Sequence, residues 1–350
     1  MAEPPNSTCN QTSLACVSSM AEPNSTCNQT TLYEESRLLL VAVYSIVFTV
    51  GVPANFMTAV LTSVQIHRGN ILSIYLFGLS LCELMYLSTL PHWIIYVQNG
   101  HCWTMGETAC KVIGYIFFCN IYISILLLCC ISIDRYVAVV YPLRSRGLRN
   151  QRIATGVTST LFAIVAAIYS PVFFDPNIQA PNTTTCFESS LNNQLATFNI
   201  IRFLVGFAIP FTILIVTNYK IFQNIKISCS LSPQKKSKVK YLAIAIISIF
   251  VVCFAPYHFD LLARAVCFHL HWHLKVENKI STIFLCLSTA NSVADPFIYV
   301  LASENARNEI CRTFRSAGVR FLNESKTESN KPNSTQKTPA DPSEAHKEER

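Results

Sequence analysis

Seven long apolar runs dominate the sequence, and polar segments separate them. Each run is close to or longer than the ~20 residues with which an α-helix crosses a bilayer. The runs lie at residues 38–64, 71–97, 109–141, 153–174, 199–226, 240–268 and 278–301. The pattern predicts an all-α membrane protein in which residues 36–301 form a seven-transmembrane-helix bundle.

The positions of Lys and Arg predict how this bundle is oriented. Positive residues follow the first, third and fifth runs, whereas the connections after the second and fourth runs contain no Lys or Arg. Short cytoplasmic loops carry an excess of positive charge, so the odd-numbered connections are expected in the cytoplasm. Residues 1–35 lack the apolar core of a cleavable signal peptide. We therefore expect a multi-pass protein of the plasma membrane with its N-terminus outside the cell.

Composition supports the membrane prediction and disfavours several other classes. The 350 residues are 51% hydrophobic and 13% charged, whereas soluble domains average about 25% charged residues. No His and Asp spacing suggests a metal enzyme or another catalytic site, and residues 282–300 contain no Lys that could hold retinal. Inverted repeats, which many transporters show, are not apparent. We predict no enzyme activity, no metal centre and no nucleic-acid partner, and a seven-helix transporter is the weaker alternative.

The third apolar run ends in a charged motif. Its sequence, ILLLCCISIDRYVAVVYPLRSRG at 125–147, places Asp134, Arg135 and Tyr136 at the mouth of a hydrophobic helix. Charges there are costly and usually functional, although a simple anchor to lipid headgroups is the alternative. The motif resembles that of rhodopsin-like (class A) G-protein-coupled receptors. In that family the equivalent of Arg135 contacts a heterotrimeric G protein, and the resemblance implies the same coupling role for Asp134, Arg135 and Tyr136.

Longer stretches resemble one branch of that family. They include YIFFCNIYISILLLCCIS, RFLVGFAIP, VCFAPYH and ADPFIYVLA. These stretches are similar to the proton-sensing and lysolipid group and, within it, to the G-two-accumulation receptors. The resemblance implies activation by an anionic lipid, such as an oxidised fatty acid or lysophospholipid, with extracellular acid as a modulator. A primarily proton-sensing receptor and a receptor for a nucleotide or peptide remain the alternatives.

Polar residues inside the predicted helices are candidates for a buried switch. Two carboxylic acids, Glu83 and Asp295, stand where membrane helices are otherwise apolar, and the resemblance implies that they converge on one pocket. Two buried acids cannot both ionise cheaply, so we expect a shared proton or a sodium ion there, or else a static hydrogen-bonded network. The predicted pocket consists of Asn55, Glu83, Ser124, Ser288, Asn291 and Asp295. The resemblance also implies an activation switch at Phe254, Pro256 and Tyr299.

Arg202 is the main candidate for recognition of a ligand. It lies in the outer half of the fifth run, and no acid stands within one helical turn of it. A cation inside a membrane helix needs a partner, and we expect a ligand carboxylate there, with Arg264 as a second cation. The alternative is an internal partner such as Glu188. The predicted aromatic walls of this site are Tyr115, Phe118, Tyr122, Phe203 and His258.

Six histidines on the predicted outer side are candidates for sensing acid. Imidazole is the side chain whose ordinary pKa lies nearest the physiological range, so protonation of several together could shift the resting population. The pattern HLHWH favours a solvated loop for the three histidines at 269–273 over a sensing role. The candidates are His92, His101, His258, His269, His271 and His273.

Cysteines and flanking segments complete the predicted organisation. The family resemblance implies a disulfide between Cys110 and Cys186, and Cys27 with Cys267 is a plausible second bridge. Residues 302–321 are expected to form an amphipathic juxtamembrane helix, with Cys311 as a palmitoylation candidate. Residues 322–350 are expected to be a disordered cytoplasmic tail that arrestin could bind once it is phosphorylated. The predicted glycosylation sites in the outer segments are Asn6, Asn10, Asn24, Asn28 and Asn182.

Overall fold

A computed structural model describes residues 34–142, 149–173, 186, 191–227, 232–271 and 278–302. Within these ranges seven helices are long and apolar enough to cross a membrane, which confirms the predicted all-α architecture. Their bounds are Glu34–His67 (α1), Leu72–Gln98 (α2), Glu107–Val140 (α3), Gln151–Phe173 (α4), Asn193–Ile227 (α5), Pro233–His269 (α6) and Ile280–Ala302 (α7). The predicted glycosylation sites, Cys27, Cys311, His273 and residues 303–350 lie outside the described residues.

Two helices begin about two turns earlier than the apolar pattern predicts, because side chains cap their first turns. The Asn192 side chain accepts a hydrogen bond from the Leu195 amide at the start of α5. Ser232 does the same for the Lys235 amide at the start of α6, where Pro233 occupies the first position. Capping of orphan amide groups and proline at the first turn both favour initiation. The helices therefore extend beyond the apolar segment on which the prediction rested.

Four helices contain local irregularities close to the buried polar and aromatic residues. α2 is interrupted at residues 88–89, and α7 at residues 289–290. The Ser88 and Thr89 hydroxyls donate to carbonyls of the preceding turn at 2.7 Å, so the break in α2 leaves those groups satisfied. π-helical segments at Leu204–Ala208 in α5 and Phe250–Phe254 in α6 each precede a proline-containing turn. Such insertions are frequent at functional sites.

α3 forms the centre of the bundle, and it packs against α2, α4, α5 and α6. In its most apolar 18-residue stretch 72% of residues are buried, compared with 11% in α4. Large apolar side chains instead cover the outer surface, for example Phe56, Val205 and Phe297, each at least 59% exposed. An apolar perimeter of this extent is suited to lipid rather than to water.

The disulfide predicted between Cys110 and Cys186 is confirmed. It ties the start of α3 to residue 186, whose carbonyl also accepts a hydrogen bond from the Tyr96 hydroxyl. The predicted Cys27–Cys267 bridge is wrong, since Cys267 on the last turn of α6 is a free thiol. Cys102 is the other disulfide-bonded cysteine among the described residues. We refer below to the disulfide end of the bundle and to the opposite, Asp134 end.

Candidate functional site

The side chain of Arg202 lies inside the bundle near the disulfide end and is held by neutral groups. Its Nε donates to the Tyr122 hydroxyl at 3.1 Å, and its Nη2 donates to the Tyr257 hydroxyl at 3.0 Å. Nη1 is 3.4 Å from the Asn199 side-chain oxygen. None of the ion pairs among the described residues includes Arg202. Among the described residues the guanidinium is therefore solvated by dipoles and has no acidic partner; Glu188, the predicted alternative partner, lies outside the described residues.

Aromatic faces complete the surroundings of this guanidinium. Its Cζ lies 4.7 Å from the ring centre of Phe118 and 5.7 Å from that of Tyr169. Tyr169 from α4 stacks on both Phe118 and Tyr122, with centroid separations of 5.9 and 5.4 Å. Cation–π contacts of this kind favour a cation in a desolvated site. We call Phe118, Tyr122, Tyr169 and Tyr257 the aromatic cage.

The predicted walls of the site are partly displaced in the structure. Phe118 and Tyr122 contact Arg202, whereas Tyr115 faces α4 and donates to the Ala166 carbonyl at 3.0 Å. Phe203 packs against Phe207 and Phe259. Phe203 directly follows Arg202, and adjacent helical positions point about 100° apart, so neither Tyr115 nor Phe203 is among the rings that contact the guanidinium.

His258 lies in a layer next to the cage rather than against Arg202. Its ring contacts the Tyr122 ring edge-on at 5.7 Å and stacks on Phe207 at 4.9 Å. Its Nδ1 lies 2.8 Å from the Phe254 carbonyl, a group near the predicted switch in α6. His258 therefore connects the cage residue Tyr122 with the π-helical segment of α6.

Arg264, predicted as a second ligand cation, has an internal partner. Its Nε lies 3.1 Å from the Asp260 carboxylate, one turn earlier on α6. That carboxylate also accepts a short hydrogen bond from Ser281 on α7. The prediction is corrected because an i,i+4 acid neutralises the guanidinium locally, as helical spacing allows.

A glycine shapes the cage in a way the sequence alone did not indicate. A Cβ added at Gly206 would lie 2.3 Å from a carbon of the Tyr122 ring. Gly206 falls within the π-helical segment of α5, so the backbone there approaches α3 closely. The missing side chain is what lets Tyr122 reach the Arg202 guanidinium.

Glu83 is the centre of a polar cluster in the middle of the bundle. Its carboxylate is fully buried and accepts hydrogen bonds from Ser124 at 2.7 Å and Asn291 at 2.9 Å. Ser292 and Asn120, two residues that the sequence prediction missed, donate to it as well. Four donors from α3 and α7 therefore converge on one acid of α2.

Asp295, the second acid of this cluster, has the opposite surroundings. Its carboxyl group lies close to that of Glu83, yet neither of its oxygens has a hydrogen-bond donor within the described part of the chain. The Oδ1 of Asn55 is also buried without a partner there, while its amide donates to the Ser292 carbonyl at 2.7 Å. Of the predicted pocket residues, Ser124, Asn291 and Asp295 thus lie around Glu83, and Asn55 is linked to them through the Ser292 carbonyl.

Ser288 does not point into this pocket, contrary to the prediction. Its hydroxyl donates to the Leu285 carbonyl at 2.6 Å, next to the interruption of α7. Residues just before a helix break can satisfy carbonyls that lack an intrahelical donor. Ser292, one turn later, occupies the place beside Glu83 that Ser288 was expected to fill.

The charged motif at the end of α3 forms a three-residue ion cluster. Asp134 lies 3.3 Å from Arg135, as predicted. Its two oxygens also accept bonds from Nε and Nη2 of Arg149, at 2.8 and 3.0 Å. Tyr136 packs instead against Tyr141, with ring centres 5.8 Å apart. The role of Arg149 was not predicted because it lies fifteen residues away in sequence.

Of the predicted switch residues, Phe254 and Pro256 lie in the middle of α6, and Tyr299 lies near the Asp134 end of α7. Phe254 is fully buried, and its ring packs against that of Phe250 at 5.9 Å. Pro256 follows directly at the start of the next helical segment of α6. On α7 the Tyr299 hydroxyl accepts a hydrogen bond from Gln65 of α1 at 3.0 Å. These residues sit where α6 and α7 contact the rest of the bundle.

Comparison with known proteins identifies the family. The sequence model described as "7 transmembrane receptor (rhodopsin family)" matches residues 54–299. The chain belongs to the rhodopsin family of seven-transmembrane receptors. Membership in this receptor family confirms the predicted fold and receptor class, and it indicates a multi-pass protein of the plasma membrane rather than an enzyme.

Individual relatives of this receptor cover most of its length. Probable G-protein coupled receptor 132 of Mus musculus is 52% identical over 289 residues, which cover 80% of this chain and 75% of the relative. G-protein coupled receptor 68 of Homo sapiens is 33% identical, with coverage of 81% and 79%. Lysophosphatidic acid receptor 4 of Homo sapiens is 32% identical, with coverage of 82% and 80%. The predicted branch of the family is thereby confirmed.

The histidines of the receptor do not form one cluster. His92, His269 and His271 are exposed, whereas His258 is buried in the bundle. His101 is buried in the loop after α2, where its ring packs edge-on against Tyr96 at 5.0 Å. Burial lowers the pKa of His101 below its ordinary value of 6.5, because a charged imidazole is poorly solvated there. The candidate acid sensors therefore have unlike environments.

Proposed function

We propose that this receptor binds a lipid with an anionic headgroup and transmits the signal to heterotrimeric G proteins. The observation that carries the proposal is the guanidinium of Arg202 in its aromatic cage, which has no acidic partner among the described residues. A ligand carboxylate would take up the charge-assisted hydrogen bonds that the Tyr122 and Tyr257 hydroxyls now make. Such bonds are roughly twice as strong as neutral ones.

The cage also suits the apolar part of a lipid. Phe118, Tyr122 and Tyr169 surround the guanidinium with ring faces, and large apolar surfaces gain about 25 cal/mol for each Å² that they remove from water. A relative that covers most of this chain is named for lysophosphatidic acid, which is itself an anionic lipid. Both observations support a lipid rather than a peptide.

The balance of charge around the cage favours a headgroup with a single negative charge. Lys111 on α3 pairs with Glu107, and Arg264 on α6 pairs with Asp260. Of these three cations, Arg202 is the one that has no acidic partner among the described residues. One carboxylate, as in an oxidised fatty acid, would balance it, whereas a nucleotide would bring several charges into an aromatic site.

We further propose that extracellular acid modulates the response through the buried acids. Asp295 offers two oxygens without a donor beside the carboxyl group of Glu83. One added proton would allow a hydrogen bond between the two groups and remove their mutual repulsion. A change in proton occupancy would then bias how α2 and α7 pack together.

A sodium ion is the alternative occupant of the same site. Hard cations prefer oxygen ligands, and Asp295 and Asn55 present buried oxygens that have no hydrogen-bond donor in the described part of the chain. These residues fit such an ion and would hold it, and its charge would neutralise the second carboxylate. The proton and the ion are distinguished by whether sodium shifts the midpoint of the acid response.

The direction of signalling follows from the charge asymmetry of the loops. We propose that the N-terminus and the disulfide end face the outside, and that Asp134, Arg135 and Tyr136 face the G protein. The glycosylation sites, the palmitoylation of Cys311 and the arrestin-binding tail remain predictions within this topology. Epitope tags accessible only after permeabilisation at residue 1 would contradict it.

The experiment that tests the proposal measures nucleotide exchange on purified receptor in nanodiscs. The panel contains an oxidised fatty acid, its methyl ester, lysophosphatidic acid and a nucleotide, each titrated at several pH values. We expect the free acid to activate and the methyl ester to fail, since the ester keeps the chain and loses the charge. Activation by the nucleotide alone, or equal activation by acid and ester, would reject the carboxylate–Arg202 pairing.

A further inference from the structure

Asp134 is shared between two guanidinium groups, and the two contacts are unequal. Arg149 makes two nearly parallel contacts, Nε to Oδ1 at 2.8 Å and Nη2 to Oδ2 at 3.0 Å. Arg135 approaches through Nη2 alone, at 3.3 Å from Oδ2. Bidentate pairing of Arg with a carboxylate is the stronger and more directional arrangement. The better geometry therefore belongs to Arg149.

The ion pair between Asp134 and Arg149 is partly buried, and the backbone on both sides of it is restrained. The Asp134 side chain is 5% exposed and that of Arg149 is 28% exposed. Arg149 directly precedes Asn150, whose side chain caps α4 by accepting a bond from the Arg152 amide at 2.9 Å. Gln151 donates to the Ile66 carbonyl of α1 at 2.7 Å. The start of α4 is thus anchored, and Arg149 is presented to Asp134.

The first turns of α6, a helix that packs against α3, carry no acid. That segment carries Lys235, Lys236 and Lys238. Asp134 is the acid that contacts Arg135 from its own helix, and Arg149 contacts both oxygens of that acid. Two like charges on one carboxylate also repel each other.

We propose that Arg149 is a positioning residue that competes with Arg135 for Asp134 and thereby raises the basal activity of the receptor. The proposal rests on the G-protein coupling proposed above for the Asp134 end. With Arg149 in place, Asp134 restrains Arg135 weakly, so Arg135 leaves the carboxylate readily when the helices separate. Without Arg149, both oxygens of Asp134 become available to Arg135, and the resting state is favoured.

The test compares basal nucleotide exchange per receptor, without ligand, for variants purified in nanodiscs. Arg149→Gln is expected to lower basal exchange roughly two- to fivefold, the range for one partly exposed ion pair. Arg149→Lys, which keeps the charge but loses the bidentate contact, should fall between Arg149→Gln and the parent. Arg152→Gln is the matched control, since Arg152 is exposed three residues later and forms no ion pair with Asp134.

The Asp134→Asn background decides whether Arg149 acts through Asp134. In that background Arg149→Gln should have no further effect, because no carboxylate remains to compete for. The proposal is overturned if Arg149→Gln raises basal exchange, if it equals Arg152→Gln, or if its effect persists in the Asp134→Asn background.

A second measurement does not depend on G-protein coupling. Thermal unfolding of the single and double variants gives the coupling of Asp134 to each arginine as a difference in Tm. We expect a larger coupling for Asp134 with Arg149 than for Asp134 with Arg135. A larger coupling of Asp134 with Arg135 than with Arg149 would reject the proposed competition, even if the parent receptor catalysed no nucleotide exchange. Absence of exchange in the parent with the expected Tm order would instead reject the proposed coupling function alone.

Discussion

Arg202 and Arg149 lie at opposite ends of the same bundle and have reversed surroundings. Arg202 is held by phenol hydroxyls, an amide and ring faces, without an acid among the described residues. Arg149 has a bidentate carboxylate partner. The charge of Arg202 is therefore one that an external anion could neutralise, whereas the charge of Arg149 is already paired with an acid of the bundle. Ligand recognition is expected at the first and a change of pairing at the second.

The largest effect is expected at the Asp134 end. Arg135→Ala should abolish G-protein activation, because the family resemblance places this guanidinium in direct contact with the G protein. Surface expression should remain near that of the parent, since Arg135 is at the rim of α3. Exchange assays together with surface labelling check both points. Intact signalling by Arg135→Ala would remove the coupling role assigned to this end.

The second largest effect is expected for Arg202. Arg202→Ala should weaken the lipid response by about 30-fold or more, the usual cost of removing one partner of a buried charged pair. The acid response should change much less, since Glu83 and Asp295 lie elsewhere in the bundle. Dose–response curves with the fatty acid and with pH measure the two effects separately.

Arg264→Gln is the control for Arg202, because Arg264 already has Asp260 as its partner. It should reduce lipid potency far less than Arg202→Ala. Equal losses of the lipid and acid responses in Arg202→Ala would argue that Arg202 only supports the packing of α3, α5 and α6.

Glu83 and Asp295 allow a similar comparison within one cluster, because Glu83 accepts four hydrogen bonds and Asp295 accepts none among the described residues. Glu83→Gln would leave four donors facing a weaker acceptor, and we expect it to destabilise the receptor by about 1–3 kcal/mol. Asp295→Asn should be neutral or stabilising, because its amide can donate to Glu83 where Asp295 now presents only acceptors. Thermal unfolding in nanodiscs measures both. If the two variants lower the stability equally, the carboxyl oxygens of Asp295 have a hydrogen-bond partner in the membrane-embedded receptor.

A smaller effect is expected from the glycine beside the cage. Gly206→Ala places a Cβ against the Tyr122 ring, which must move away from Arg202. We expect lipid potency to fall by about tenfold, the equivalent of one lost hydrogen bond of about 1.4 kcal/mol. Gly156→Ala is the matched control, since a Cβ there has no atom within 4 Å. Unchanged potency in Gly206→Ala would show that Tyr122 does not need its present position.

Much of the fold could be predicted from sequence, because helix length and apolarity are properties of contiguous residues. The coarse position of the buried acids was predictable for the same reason, since Glu83 and Asp295 interrupt apolar runs. Partners from distant segments were not predictable. Arg149 and Asn120 became functional candidates only when α4 and α3 were placed beside their acids.

The differences within the candidate site concern where single side chains point. Tyr115 and Phe203 were predicted as aromatic walls, whereas the Tyr115 hydroxyl bonds to α4 and Phe203, one position after Arg202, packs against Phe207. The π-helical segment of α5 adds a further local rotation that no hydrophobic pattern reveals. Tyr169 and Tyr257 were missed because nothing distinguishes them from other aromatic residues until α4 and α6 are placed around Arg202.

The smallest effect is expected for His101, the candidate histidine that is buried in the loop after α2. Its pKa is lowered by burial, so the folded receptor resists its protonation while the unfolded chain takes up a proton below about pH 6.5. The stability that the neutral imidazole contributes is therefore present above that pH and is lost as the pH falls further. His101→Asn should reduce this acid-induced loss of Tm slightly, since Asn tolerates the left-handed backbone at this position (φ 63°). The midpoint of the acid response should stay unchanged, because burial disfavours protonation of this histidine in the folded receptor. A shifted midpoint in His101→Asn, with none in Phe variants of exposed His92, His269 and His271, would move the acid sensor from the buried acids to this loop.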